Sequence, residues 1–250
     1  VERRDSLTFK QVDAAGAIDL PRDAVARDRL ILLLIGMVLV LGTFFASRGI
    51  TVIDEIIYLV GAQALQATGS LLVDNGYVAL PFAETTFGTF FRPREDGLLA
   101  SQYPLGQSVL GAVLHPLLGP RGLYVLHAIA AVVTLFATYA VALRLFADRQ
   151  VALWSCLLLA VGTFLMEYVY GYWPHMTSVA AIMVSFSLAL KAFEAERAFL
   201  PAILSGLALG VALVLRIDSL LLLPVLAVLA LVLAHRFGAV VAGGAIWLVT

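Results

Sequence analysis

The sequence contains few charged residues. Of its 250 residues, 13% are charged and 62% are hydrophobic, the mean hydropathy is +0.98, and the formal net charge is −1. An ordinary soluble domain has about a quarter of its residues charged, and a polyanion-binding surface needs an excess of Lys and Arg. The composition therefore excludes a soluble globular domain and gives no reason to expect a nucleic-acid partner. It predicts an all-α integral membrane protein.

Cysteine is nearly missing as well. Cys156 is the single cysteine, which excludes a disulfide within the chain and a metal site built from several thiolates. The sequence also lacks a glycine-rich phosphate loop, a His-Glu-x-x-His pair and a Gly-x-Ser-x-Gly elbow. No short catalytic motif therefore indicates a function, and the argument has to rest on topology and on isolated polar residues.

Long apolar runs make up most of the chain. A helix that crosses about 30 Å of hydrocarbon needs about 20 mostly apolar residues, and six stretches meet or approach that length: 30–47, 122–143, 151–170, 176–190, 200–215 and 220–234. A seventh begins near residue 238 and is cut short at Thr250, from which we expect a chain truncated at its C-terminus. The run 105–118 is shorter and contains His115 and Pro116, which favours an interfacial or re-entrant helix.

Basic residues predict which ends face the cytoplasm, because short cytoplasmic loops are enriched in Lys and Arg. Arg22, Arg27 and Arg29 lie just before the first span, so we predict that residues 1–29 form a cytoplasmic tail. If 105–118 does not cross, the module 30–250 has five basic residues in its cytoplasmic turns, and its outer turns beyond residue 122 have only Arg216. A crossing helix would invert this ratio. We therefore predict about seven transmembrane helices and a long first outer loop, 48–121, that contains membrane-surface helices.

The first candidate for chemistry is the acidic pair Asp54 and Glu55, which opens a helix-like stretch within the outer loop. Two adjacent carboxylates at the membrane boundary can supply a general base or a metal ligand. A structural interpretation has equal weight, because Thr51 and Asp54 fit a capping box and acidic residues favour a helix N-terminus.

Two further candidates lie where helices meet the predicted interface. Tyr103 precedes Pro104 in an ordinary helix-start pattern, but it can also line a polar pocket. The aromatic cluster 168–173 is typical of a membrane interface. His175, which follows it, is harder to dismiss because an ionisable group near hydrocarbon is a functional candidate.

Arginines are the remaining candidates. Arg216 and Asp218 join two spans and either seal two helix ends or provide a guanidinium for a phosphate. Arg92 and Arg94 in the long loop offer the same chemistry, although a loop arginine is more often only solvated. We assign no role to His115 or His127.

The order of these features resembles the membrane-embedded glycosyltransferases of the GT-C superfamily, in particular the branch of dolichyl-phosphate-mannose protein mannosyltransferases and aminoarabinose transferases. The resemblance covers roughly residues 30–235. It rests on Ile53-Asp54-Glu55-Ile-Ile-Tyr58, Gln102-Tyr103-Pro104-Leu105-Gly106, the basic turn 144–150, and Gly206-Leu-Ala-Leu-Gly210 leading to Arg216-Ile-Asp218.

The resemblance implies a GT-C-like bundle that moves a sugar, with inversion, from a polyprenyl-phosphate-linked donor to a glycan, lipid or protein acceptor. The transfer would occur on the outer face of a bacterial plasma (inner) membrane. Asp54 would be the catalytic base with Glu55 beside it, and Arg216 or Arg92 would stabilise the leaving phosphate. Substrate binding would fall to the remaining candidates, Tyr58, Tyr103 and His175.

The chain departs from the family pattern in its second outer loop. Many members have an acidic residue there, where this sequence has Trp173-Pro174-His175. We therefore assign no metal ligands and name no cofactor, although the family leaves room for a divalent metal.

Two other classes of function compete with an enzyme. A transporter or lipid-handling permease would need ionisable residues near the bilayer midplane or helices broken there, whereas the charged positions here cluster near the ends of the spans. A scaffold of the same fold without catalytic activity is the third interpretation.

Overall fold

The computed structural model describes residues 22–46, 53–74, 90–194 and 198–234, and about 80% of them are helical. The tail before residue 22, Thr51 of the suggested capping box, residues 75–89 of the long loop and the stretch that starts near 238 lie outside the described residues. The helices are α1 (Arg22–Phe45), α2 (Ile53–Thr68), α3 (Gly106–Leu118), α4 (Arg121–Phe146), α5 (Arg149–Gly162), α6 (Leu165–Val169), α7 (His175–Glu194), α8 (Phe199–Leu215) and α9 (Leu222–Ala234).

Three of these helices, α1, α4 and α7, are long and apolar enough to cross a membrane. Helix α1 begins at Arg22, eight residues before the span predicted from residue 30. Its first two turns are rich in charged residues, which a hydropathy criterion leaves out of a span although they are helical. Helices α5, α8 and the segment 217–229 are apolar but shorter than a full span. The residues that the structure describes thus include three helices that are long and apolar enough to cross a membrane, which is compatible with a membrane protein but does not give the predicted count of about seven.

Small side chains allow the helices to pack closely. Helix α4 contacts α1, α5 and α7, and α7 packs along α8. The main core consists of Leu32 and Leu39 of α1 and of residues from α4 to α7. Many of the latter have small side chains, among them Ala128, Ala131, Ala142, Ala152, Cys156 and Ala160. Alanine-rich contacts are expected between membrane helices, because small residues let the backbones approach. Cys156 belongs to this core and is structural.

The predicted span 151–170 is wrong as a continuous helix. Helix α5 ends at Gly162, and α6 starts only at Leu165. Thr163 lies between them with an extended backbone, and its hydroxyl donates to the carbonyl of Leu159 at 2.7 Å and accepts from the amide of Leu165 at 3.2 Å. A threonine that bonds the backbone on both sides offers an alternative to helical hydrogen bonding, which explains the break.

The long loop contains the two predicted helices α2 and α3, which pack against each other. At 13 residues, α3 is about 20 Å long and too short to cross about 30 Å of hydrocarbon. The expectation of an all-α chain is wrong in one detail, because β1 (Val73–Asp74), β2 (Phe91–Pro93) and β3 (Leu98–Ser101) form an antiparallel sheet in the order β1-β3-β2. Pro93 is tolerated because β2 is an edge strand.

A buried polar cluster ties three helices together at the end of the bundle where α1 starts and α4 ends. Arg149 of α5 donates to Asp28 of α1 at 2.8 Å, and the hydroxyl of Tyr139 on α4 donates to the second oxygen of Asp28 at 2.7 Å. Arg149 also donates to the carbonyl of Ala24 at 3.1 Å. Both oxygens of a carboxylate that is 1% exposed are thus paired, as a buried charge requires.

Candidate functional site

A cavity of about 410 Å³ lies at the opposite end of the bundle, where α7 and α2 begin and α8 ends. This volume falls within the range of about 300–1,000 Å³ of small-molecule sites. Its polar lining comes from four separate segments of the chain, and the lining residues are Asp54, Tyr58, Tyr103, Pro104, Trp173, Pro174, His175, Leu215, Arg216, Ile217 and Asp218.

Five of the seven candidate residues from the sequence line this cavity: Asp54, Tyr58, Tyr103, His175 and Arg216. They are up to 162 positions apart in the chain, counted from Asp54 to Arg216. Glu55 and Arg92 are not among the lining residues. The structure therefore groups the candidates in space but separates the two members of the acidic pair.

Asp54 and Tyr103 form one wall of the cavity. Asp54 lies in the first turn of α2, and the hydroxyl of Tyr103 donates to its Oδ1 at 3.0 Å. The ring of Tyr103 packs edge-on against Tyr58 and stacks on Phe90 beside the small sheet. Burial raises the pKa of Tyr58 to about 12. Burial, reinforced by the bond to Asp54, also raises the pKa of Tyr103, so both phenols are neutral donors at neutral pH.

Glu55 has a structural position. Its side chain is 1% exposed, and its Oε1 accepts a hydrogen bond from the backbone amide of Tyr172 at 3.0 Å. Because successive residues of a helix point about 100° apart, Asp54 can face the cavity while Glu55 holds the loop 170–174. Arg92 lies exposed on β2. Neither residue contributes to the cavity lining.

Arg216, His175 and Asp218 form a second group of lining residues. Arg216 Nε donates to both carboxylate oxygens of Asp218 at 2.9 and 3.2 Å, and its Nη2 donates to Oδ2 at 2.6 Å. Its Nη1 donates to His175 Nε2. A guanidinium has no acceptor, so this contact requires a neutral His175 with its proton on Nδ1. Arg216 lowers the pKa of Asp218, and Asp218 raises the pKa of Arg216, so this pair stays ionised.

Aromatic rings surround His175. Tyr168 stacks on its ring with centroids 4.6 Å apart, and Trp173 lies 5.4 Å away at a tilt of 54°. His175 Nδ1 and Trp173 Nε1 are buried without a hydrogen-bond partner among the residues that the structure describes. The stacking holds the imidazole in the orientation that presents Nε2 to Arg216.

A buried hydrogen-bond network contacts the loop that carries Trp173 and leads to His175 at the start of α7. His127 of α4 is fully buried, and its Nδ1 and Nε2 contact the carbonyl of Gly171 and Gln107 Nε2, each at 2.5 Å. The hydroxyl of Thr177 donates to Gln107 Oε1 at 2.8 Å. The amide nitrogen of Gln107 can only donate, so His127 Nε2 accepts and Nδ1–H donates to Gly171.

The sequence interpretation missed this network because each member taken alone is unremarkable. Gln107, His127 and Thr177 are polar residues within otherwise apolar helices. Buried polar groups need partners, which predicts contacts among polar residues of neighbouring apolar helices but does not say which residues meet. His115, the other histidine set aside, contacts Gln66 at 2.6 Å and joins α3 to α2 at an exposed position.

Among the described residues, no group of three or more His, Cys, Asp or Glu side chains is arranged to hold a metal ion. Asp54 and Asp218 are the two carboxylates that line the cavity, and they accept hydrogen bonds from Tyr103 and Arg216.

Comparison of the chain with family models, with curated proteins and with solved structures finds no match. The family resemblance therefore stays a prediction from the sequence, and the geometry of the cavity has to carry the functional argument.

Proposed function

We propose that this chain is a membrane-embedded, inverting glycosyltransferase of the GT-C type that uses a polyprenyl-phosphate-linked sugar donor. The observation that carries the proposal is that Asp54 and Arg216 line one cavity. Glycosyl transfer from a lipid phosphate needs a base for the acceptor and a cation for the departing phosphate, and these groups must lie on either side of one sugar.

In the proposed reaction, the acceptor hydroxyl or amine gives its proton to Asp54 as its oxygen or nitrogen attacks the anomeric carbon. The bond between that carbon and the phosphate oxygen breaks, and the phosphate leaves with the electron pair. Attack from the face opposite the leaving group inverts the anomeric configuration. Tyr103 orients Asp54, and Arg216 stabilises the negative charge that develops on the phosphate.

An apolar surface continues from the cavity and suits a polyprenyl chain. Ile217 lines the cavity and is largely exposed, as are its neighbours Leu221 and Val214. In a membrane these side chains face hydrocarbon or a lipid tail. A donor with a polar head in the cavity and a tail along this surface would match both regions.

We also propose the finer topology. Helices α5, α8 and α9, each extended by adjoining residues, would also cross the membrane. Together with α1, α4, α7 and the apolar stretch predicted from about residue 238, they would give about seven spans. The cavity would then open on the outer face of a bacterial inner membrane, because the basic turns lie at the opposite end.

The permease alternative has less support. Its coupling residues would lie near the middle of the spans. All Asp, Glu, Lys and Arg residues of the three spanning helices fall within the first eight or the last four positions of those helices, at Arg22, Asp23, Arg27, Asp28, Arg29, Arg121, Arg144, Lys191 and Glu194.

The test is sugar transfer by the purified protein in proteoliposomes, with a panel of polyprenyl-phosphate-linked hexoses and pentoses and a membrane extract as acceptor. We expect Asp54→Asn to lower the transfer rate about a hundredfold or more, because general-base catalysis contributes about 10²–10⁴. Asp96→Asn, an exposed carboxylate on the turn between β2 and β3, is the control and should leave the rate unchanged.

Transfer by Asp54→Asn at the normal rate would remove Asp54 as the base. Flux of a polyprenyl-phosphate sugar across the vesicle membrane, without any transfer, would replace the enzyme with the permease.

A further inference from the structure

The guanidinium of Arg216 is already occupied within the chain. Its Nε and Nη2 donate to Asp218, and its Nη1 donates to His175. Nε and Nη2 form one of the two edges with which a guanidinium binds carboxylates and phosphates through two parallel hydrogen bonds. An anionic ligand in this cavity therefore meets a carboxylate that is already bound at that edge.

The charges of the cavity lining make the same point. Asp54 and Asp218 are acidic, Arg216 is the single Lys or Arg among the lining residues, and His175 is neutral as its contact with Arg216 requires. The lining thus carries a net charge of −1 with Asp218 in place and none without it. On charge alone, a phosphate group is bound more tightly by this cavity when the carboxylate of Asp218 has moved away.

We propose that Asp218 is an internal counter-ion that occupies the anion-binding edge of Arg216 until the phosphate of a ligand displaces it. This inference rests on the proposed function in one respect only, which is that the ligand is taken to carry a phosphate. Asp218 would set how tightly anions bind, and it would keep Arg216 oriented while the cavity is empty.

Asp218 is placed so that it can leave. It is 53% exposed, whereas Arg216 is 29% exposed. It belongs to a single turn of 3₁₀-helix, Ile217–Leu221, and its partner is only two residues away. A rotation of its side chain towards solvent frees Arg216 without moving a helix. Arg216 keeps its second contact, to His175, which holds the guanidinium at the cavity wall.

The chain contains a matched pair with the same spacing. Arg94 Nε donates to both oxygens of Asp96 at 3.3 and 3.1 Å, on the turn between β2 and β3. These side chains are 51% and 44% exposed and line no part of the cavity. An Arg-x-Asp ion pair thus also forms on a surface turn. The pair Arg216 and Asp218 differs from the pair Arg94 and Asp96 because it lines the cavity.

The experiment measures binding of inorganic phosphate to the full chain in detergent by phosphorus NMR line broadening at neutral pH, with no sugar donor present. A charge within about 4–6 Å shifts the pKa of a neighbouring group by about 1–3 units, which is a change of about tenfold or more in its affinity for a proton, and the carboxylate of Asp218 acts on a bound phosphate by the same Coulomb interaction. We therefore expect Asp218→Asn and Asp218→Ala each to bind phosphate about tenfold more tightly than the wild type. Asp96→Asn should bind as the wild type does, and Arg216→Gln combined with Asp218→Asn should lose the gain.

Unchanged phosphate affinity in both Asp218 variants, with helicity equal to the wild type by circular dichroism, would overturn the proposal and leave the pair as a seal between two helix ends. A gain that persists without Arg216 would overturn it as well. Because no sugar is transferred in this measurement, tighter binding in the absence of any transferase activity would retain the anion site and reject the enzyme.

Discussion

An arginine–aspartate pair with a ring-bearing partner stands at each end of the helix bundle, and the two pairs differ in nearly every physical respect. At one end, Arg149 and Tyr139 bind Asp28 and join three helices across more than 100 positions of sequence. At the cavity end, Arg216 binds Asp218 two residues away and His175 from α7. One aspartate is 1% exposed and the other 53%.

The difference separates a cluster that holds the fold from one that can exchange partners. Asp28 has both oxygens paired inside the protein, so removing it leaves Arg149 without its counter-charge and the hydroxyl of Tyr139 without its acceptor. Asp218 faces a cavity and solvent, so water can replace it at little cost. The same two residue types therefore serve stability at one end and, as we propose, binding at the other.

The largest expected effect comes from breaking the buried cluster. We expect Asp28→Ala to lower the free energy of unfolding by about 3 kcal/mol, because it leaves the partly buried Arg149 without its counter-charge and the hydroxyl of Tyr139 without its acceptor. The matched change Asp218→Ala should cost about 0–1 kcal/mol, as for other exposed ion pairs. Unfolding in mixed micelles, followed by circular dichroism, measures both.

Equal losses in these two variants would contradict the distinction between a structural and an exchangeable pair. A variant of Tyr139, Tyr139→Phe, provides a milder check, because it removes one hydrogen bond to Asp28 and leaves the ion pair in place. Its loss should lie between the other two.

The next effect concerns what supports the exchangeable end. We expect His127→Leu to lower the free energy of unfolding by about 2 kcal/mol, since it leaves Gln107 and the carbonyl of Gly171 buried without their partner. His115→Leu is the matched control, and it should change stability by less than about 0.5 kcal/mol because its contacts are exposed.

His127→Leu should also loosen the loop that carries Trp173. In a background with Trp154→Phe and Trp247→Phe, Trp173 is the single tryptophan, and its fluorescence should become more accessible to acrylamide in His127→Leu. Accessibility that stays as low as in the His115→Leu control would show that the loop is held by other contacts, such as the bond from Tyr172 to Glu55.

The sequence predicted the helices better than their continuity. Helices α3, α4, α7 and α8 match their predicted stretches to within four residues at each end, because long apolar runs with turn residues between them leave little choice. The break at Thr163 was not predicted, because a hydropathy profile contains no information about a hydroxyl that hydrogen-bonds to neighbouring backbone groups. The short strands escaped for a related reason, since two to four residues carry no detectable alternation.

The candidate site could be predicted as a set of residue types but not as a geometry. Interfacial polar residues indicated Asp54, His175 and Arg216 separately, and the structure places them around one cavity. No local pattern distinguishes Asp54 from Glu55, because the two differ only in the direction in which the helix points them. The family resemblance implies that Asp54 is the base with Glu55 beside it, and the structure places only Asp54 in the cavity lining.

The smallest expected effect tests the exposed pair by its pH dependence. Arg216 lowers the pKa of Asp218 below the usual value for aspartate, so the folded protein binds the proton more weakly than the unfolded chain does. The pair therefore stabilises the fold at all pH values above about 4, and this contribution is lost as the pH falls through the lowered pKa. We expect the wild type to exceed Asp218→Asn by less than about 1 kcal/mol in unfolding free energy, by the same amount between about pH 5 and 8, because the carboxylate is half exposed. This difference in unfolding free energy should shrink towards zero below about pH 4. A difference that grows on acidification would mean that Asp218 takes up its proton more readily in the folded protein. That result would contradict an ion pair with Arg216.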